Sequence, residues 1–149
     1  MDIQGFKQSD AKAISTLSNS NSEFFQYPKV SPVFIRDMCA KPGFKMFVLR
    51  CGGADSPVVG FCGANFASPP TAELGPICVA GGLRKRGYGE ELAKHALDFL
   101  KQNGITKVFV KVKRSNVAAQ KFFKSLDFKV TEQIICGGEE ALVMRYGKD

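Results

Sequence analysis

The sequence predicts a single mixed α/β domain over residues 1–149, with a central mixed, mostly antiparallel sheet of about seven strands flanked by about four helices. Three observations lead there. The chain has 149 residues, 44% hydrophobic and 23% charged, enough to bury one core and too few for two. Its first half carries short β-type runs separated by Gly, Pro and Asp turns, the pattern of antiparallel strands. Its second half alternates strand and helix patterns before closing on a hairpin.

Residues 2–7 read as a short strand. Ser9-Asp10 is placed to cap a helix in which Ala11, Ile14 and Leu17 follow helical spacing. Residues 18–28 are polar and read as a loop, and 31–40 as a second helix ended by Lys41-Pro42-Gly43. Strands at 45–51 and 58–66 flank a turn at 52–57, and a third, 71–79, follows Ser68-Pro69-Pro70. A basic, glycine-containing loop then leads into a helix reaching Gln102, closed by Asn103-Gly104. Residues 107–113 form a strand with Val108, Val110 and Val112 on one face. Lys107, Phe109, Lys111 and Lys113 share the other, either as a solvated face or as a site for an acidic substrate. Ala119, Phe122, Phe123 and Leu126 mark a helix over 116–126. Strands at 128–135 and 141–146, joined around Gly137-Gly138, complete the chain.

Several function classes drop out. The N-terminus has neither the charged start and apolar run of a signal peptide nor a glycine at position 2 for myristoylation. The longest near-apolar stretch, 57–67, is far short of the roughly 20 residues a membrane helix needs. Cys39, Cys51, Cys62, Cys78 and Cys136 have no metal-ligand or redox spacing, and His95, read as a flank or core residue, is the sole histidine. No metal is expected, and the thiols fit a reducing, cytoplasmic setting.

The net charge of +7 is localised: residues 84–124 hold eleven Lys and Arg against three acids. Charge so concentrated suggests a polyanionic partner, either nucleic acid or a phosphorylated cofactor. Nucleic acid is the weaker reading, because the cations coincide with a glycine loop and no base-stacking motif is present.

That loop is Arg84-Lys85-Arg86-Gly87-Tyr88-Gly89, at the entrance of a helix. Glycines there let a ligand approach the backbone, first-turn N–H groups point outward, and the helix dipole adds positive charge. The arrangement suits a pyrophosphate, although a basic turn that only caps a helix has the same appearance. It lacks the glycine spacing of a dinucleotide fingerprint and the Gly-Lys-Ser/Thr of a P-loop.

Arg84-x-x-Gly87-x-Gly89 resembles the phosphate loop of the GNAT-type N-acetyltransferase superfamily. Val79, five residues earlier, stands where that family has the strand residue before the loop. Asn116-x-x-Ala119-x-x-x-Phe123-x-x-x-Asp127-Phe128 is similar to its N-x-x-A-x-x-x-Y-x-x-x-G-F pattern. The resemblance covers residues 71–128 by motif and the whole chain by element order.

It implies transfer of an acetyl group from acetyl-coenzyme A to a primary amine by direct attack, by a monomer or homodimer. Backbone N–H groups from Arg86 to Glu90 would hold the pyrophosphate, with Arg84, Lys85, Gly87, Tyr88 and Gly89 shaping the cradle. Ile77, Cys78 and Val79 would pair with the pantetheine arm, and Asn116 and Ala119 would face the cofactor. Pro76, which has no N–H to give, agrees with an edge or bulge in that strand. Asn116 is equally suited to capping its helix.

Glu73 stands 11 residues before Arg84, where many members carry a glutamate acting as general base. On a regular strand it would share a face with Gly75, Ile77 and Val79; otherwise it is an exposed strand residue. An amine near pKa 10 must lose a proton before it can attack, and apolar surroundings raise a carboxylate toward that task. Phe123 departs from the family, whose Tyr there protonates the leaving thiolate; Tyr88, Tyr27 or water would have to substitute. Asp127 replaces a usual Gly. A non-catalytic acyl-CoA-binding module on the same fold is the alternative. No residue selects the amine.

Overall fold

The computed structural model describes residues 2–20, 29–83 and 85–147. Among them, seven strands form one sheet: β1 (Asp2–Gly5), β2 (Phe44–Arg50), β3 (Val58–Ser68), β4 (Thr71–Val79), β5 (Lys107–Lys113), β6 (Phe128–Cys136) and β7 (Glu139–Tyr146). Four helices flank it: α1 (Ala11–Ser20), α2 (Pro32–Ala40), α3 (Tyr88–Gln102) and α4 (Val117–Ser125). The order across the sheet is β1-β2-β3-β4-β5-β7-β6. Every neighbouring pair is antiparallel except β4 and β5. This is the mixed, mostly antiparallel sheet with four helices that the element pattern predicts.

Alternation along β2 separates two cores. Phe47 and Leu49 join the larger, beneath Leu92, Ala96 and Leu100 of α3 and Phe123 of α4. Met46 and Val48 join the smaller, beneath Ala11 and Ile14 of α1 and Ile35 of α2. The period of two puts successive side chains on opposite faces, and each face is apolar enough to bury a helix pair.

Local signals place the helix ends. Ser31 accepts a hydrogen bond from the Phe34 N–H at 3.1 Å, and Pro32 occupies the first helical position of α2, where its missing N–H costs nothing. Gly87, at φ +84°, opens α3, and Asn116 caps α4 by accepting from the Ala119 N–H at 3.1 Å. Asp127 takes φ +70° just past α4, a conformation Asp tolerates better than most residues.

Two expectations need correction. Residues 18–20 continue α1 rather than forming a loop; the rest of that reading, residues 21–28, lies outside the described residues. Asp10 does not cap α1 from solvent. It ends a 3-10 turn (Gln8–Asp10), is buried, accepts from the Lys7 N–H at 2.9 Å, and meets the Arg50 guanidinium at 2.6 Å. Arg50 also donates to the Gln4 side chain and the Ser56 carbonyl, tying β1, β2 and the following turn together.

Candidate active site

The site is built where β4 parts from both neighbours. On one side, β5 pairs with β4 only through Thr71, Ala72 and Glu73, opposite Lys107, Val108 and Phe109. Past Glu73 the two strands separate. On the other side, Ala64 pairs with Leu74 but Cys62 pairs with Ile77, so β4 carries one extra residue in that interval. Gly75, at φ +132°, takes a backbone angle suited to glycine there, and Pro76 has no N–H to give to a ladder.

The extra residue reverses the facing of the strand. Leu74 belongs to the α3 core, Cys78 to the α1–α2 core, and Ile77 and Val79 pack on the α3 side. Regular alternation would have kept Leu74 and Cys78 on one face. Glu73, opposite in facing to Ala72 and Leu74, therefore does not share a face with Ile77 and Val79 as the unbroken strand pattern predicts. A one-residue bulge flips every later side chain.

Glu73 and Ile77 nevertheless meet one space. A cavity of about 630 Å³ passes between the parted strands. Its walls include Asn116, Ala119 and Phe123 of α4 at one end and Phe34 and Met38 of α2 at the other, with Glu73 and Lys111 on the strands between. A second cavity, of about 390 Å³, lies at the start of α3 and is lined by Val79, Lys85, Gly87, Gly89, Glu90, Phe122 and Ser125. The two cavities hold ten of the sequence-predicted site residues.

Four others lie elsewhere or undescribed. Cys78 turns into the α1–α2 core and Tyr88 packs half-buried on the α3 core. Arg86 is exposed and lines neither cavity. Arg84 lies outside the described residues, as does Tyr27.

Glu73 is the titratable group the site perturbs most clearly. Its side chain is 30% exposed, and burial pushes its pKa above the ordinary 4.5. The Lys111 ammonium, 3.8 Å from Oε1, pulls the other way without cancelling that rise. At that separation the contact is an ion pair rather than a well-formed hydrogen bond. Lys111 was legible only as one of four residues on a strand face; the parting of β4 and β5 singles it out.

The start of α3 can hold an anion. Gly87 gives the first turn no side-chain cap, and Lys85, at φ +63°, and Gly87 bracket Arg86 in a tight turn of the kind that gathers backbone N–H groups. A Cβ at Gly89 would stand in ordinary contact with the Phe122 ring, at 3.4 Å, on the wall of the second cavity. Phe123 is 5% exposed and has edge contacts with Phe122 and Phe128, and it offers no hydroxyl to the cavity. His95 is a flank residue, edge-on to Phe47. No disulfide links the cysteines: Cys62 and Cys78 are buried, whereas Cys51 is exposed. Burial pushes the Cys62 thiol up to about 12, which leaves it a core residue and no nucleophile. Among the described residues no group of three or more His, Cys, Asp and Glu could hold a metal ion, and no helix is long and apolar enough to cross a membrane.

Comparison with known proteins gives the family and the fold. The model of the acetyltransferase (GNAT) family matches residues 13–128. No curated protein sequence matches the chain. Among solved structures, it is similar to a GCN5-related N-acetyltransferase from Kribbella flavida, at TM-score 0.80 and 21% identity over 97% of this chain and 95% of that one. It is also similar to the ribosomal-protein-S18-alanine N-acetyltransferase from Escherichia coli, at TM-score 0.77 and 20% identity over 97% and 92%. A third likeness is to an aminoglycoside 6'-N-acetyltransferase complexed with coenzyme A, at TM-score 0.78 and 16% identity over 97% and 96%. At these identities the likeness is one of fold.

Proposed function

The chain belongs to the acetyltransferase (GNAT) family, and on that premise we propose that it transfers an acetyl group from acetyl-coenzyme A to a primary amine by direct attack. The observation that carries the reading is the cavity through the parted β4 and β5, with Glu73 on its wall. Bound there, acetyl-coenzyme A supplies an activated acetyl group.

The residues present fit that cosubstrate. The start of α3, with Lys85, Gly87 and Gly89, suits the pyrophosphate, and the β5-side edge of β4 from Ile77 to Val79 suits the pantetheine arm. Asn116 is committed to its helix cap, so its part is to shape the wall.

Glu73 takes the proton from the amine, directly or through water. Burial raises its pKa and so brings a carboxylate closer to the basicity the step needs, while Lys111 pulls the other way. The amine then attacks the acetyl carbon. Phe123 has no proton for the departing sulfur, and Tyr88 lines neither cavity, which leaves water or Tyr27, the latter outside the described residues. If the leaving thiol resembles a free Cys, departure without a donor at pH 7 costs on the order of 2 kcal/mol. Phe123 is also the one observation that favours a non-catalytic acyl-CoA-binding module. Coenzyme A release across a panel of amines, with acetyl-coenzyme A binding measured in parallel, separates the two: binding without transfer to any amine rejects the enzyme.

A further inference from the structure

We propose that the acceptor is a primary amine with a single positive charge and an apolar group beside it, seated with that group against Phe34 and Met38; this rests on the acetyl-transfer reading above. The α4 end of the through-cavity adjoins the start of α3 and is the cosubstrate's side. The α2 end is then the acceptor's, with Glu73 between the two.

Phe34 and Met38 stand one helical turn apart on α2 and both line that end, with Phe44 of β2 behind them. Phe34 is 46% exposed, a large aromatic at the mouth of a cavity whose walls are mostly apolar. Such a wall gains most from an apolar ligand group.

Charge narrows the choice further. Among the described residues the cavity's charged lining is two carboxylates, Asp37 and Glu73, against two lysines, Lys41 and Lys111. Glu73 already has Lys111 at 3.8 Å. A single amine can use Glu73 while it gives up its proton. A polyamine or an aminoglycoside brings further ammonium groups, and each would leave water for a wall whose described lining carries as many lysines as carboxylates. The chain's net charge of +7 opposes polycations at longer range as well.

The test is steady-state coenzyme A release with 2-phenylethylamine, phenylalanyl-glycinamide, ethylamine and spermidine. We expect kcat/KM for one of the two phenyl-bearing amines to exceed that for both ethylamine and spermidine by roughly tenfold or more, the scale of an apolar group finding its pocket. Which phenyl compound leads distinguishes a free amine from a peptide N-terminus. Phe34→Ala should lower that kcat/KM about tenfold, through KM for the amine, and Lys111→Met should narrow the preference over spermidine. A melting shift with acetyl-coenzyme A certifies that each variant is folded. Spermidine or ethylamine used as well as the phenyl amines would overturn the substrate class and leave acetyl transfer standing. An unchanged preference in folded Phe34→Ala would overturn the seat on α2. Transfer to none of the four, with acetyl-coenzyme A bound, would overturn this proposal, whereas acetyl transfer itself falls only if the wider amine panel fails as well.

Discussion

Lys111 Nζ stands 3.8 Å from Glu73 Oε1 across the last paired residues of β4 and β5, so the family's candidate base faces a cation from the neighbouring strand. Burial raises the pKa of Glu73 and Lys111 lowers it, with burial the larger effect. Removing the cation should leave burial unopposed. In Lys111→Met the acidic limb of the kcat/KM profile should move to higher pH. A limb that stays in place, or moves down, means that Glu73 is not the group titrating.

The same shift makes a stability prediction. A carboxyl whose folded pKa lies above its unfolded value favours the fold when protonated. Its charge therefore costs stability progressively as pH rises from about the ordinary 4.5 through the raised value. Glu73→Gln removes that cost. Relative to wild type, the variant should gain in melting temperature between pH 4 and neutrality, and the gain should level off above the folded pKa. Urea or thermal melts across that range decide it; a variant that loses ground as pH rises contradicts the assignment.

Asp10 and Arg50 form a buried pair at 2.6 Å, each side chain 5% exposed. Arg50→Ala leaves a buried carboxylate without its cation and should cost about 3–5 kcal/mol. The double variant with Asp10→Ala should cost less than the two single losses added, because no charge remains buried. Equilibrium denaturation of the three variants tests this.

Asp127 occupies φ +70° after α4, where the family pattern has glycine. Asp127→Gly should be neutral or stabilising by up to about 1 kcal/mol, and Asp127→Val destabilising by about 1–2 kcal/mol. Urea midpoints measure both. Equal effects of the two would mean that the backbone angle is not the constraint.

Phe123 sits in the cavity wall between Phe122 and Phe128. Phe123→Tyr should raise turnover if sulfur departure limits the rate, by no more than the roughly 2 kcal/mol set by the thiol pKa. A wild type that binds acetyl-coenzyme A and transfers to nothing, beside a Phe123→Tyr variant that does transfer, would show a fold that had kept its cosubstrate and lost its chemistry.

Most of the fold was legible because strand and helix periods are local. Val108, Val110 and Val112 mark β5, and Ala119, Phe122, Phe123 and Leu126 mark α4, without reference to anything distant. The Arg50–Asp10 pair was not, because 40 residues separate the partners, and Asp10 reads as a helix cap and Arg50 as one residue of a strand. The site was half legible. Gly87 and Gly89 announce a close approach, and Pro76 hints at an irregular strand. The bulge at Gly75 defeats strict alternation, however, so the facing of Glu73 relative to Ile77 was misread. Phe34, Met38 and Lys111 join the site only through the parting of β4 and β5, which Pro76 hints at but neither strand's sequence locates.

The central claim is that Glu73 takes the proton from the amine. Acetyl transfer to a saturating amine should be compared for wild type and Glu73→Gln from pH 6 to 10, with acetyl-coenzyme A affinity measured on both. The account predicts equal affinity, a rate lower by roughly 10² to 10⁴ at pH 7, and partial recovery as free amine becomes abundant at high pH. A Glu73→Gln protein as fast as wild type at pH 7 would contradict it and place the base elsewhere.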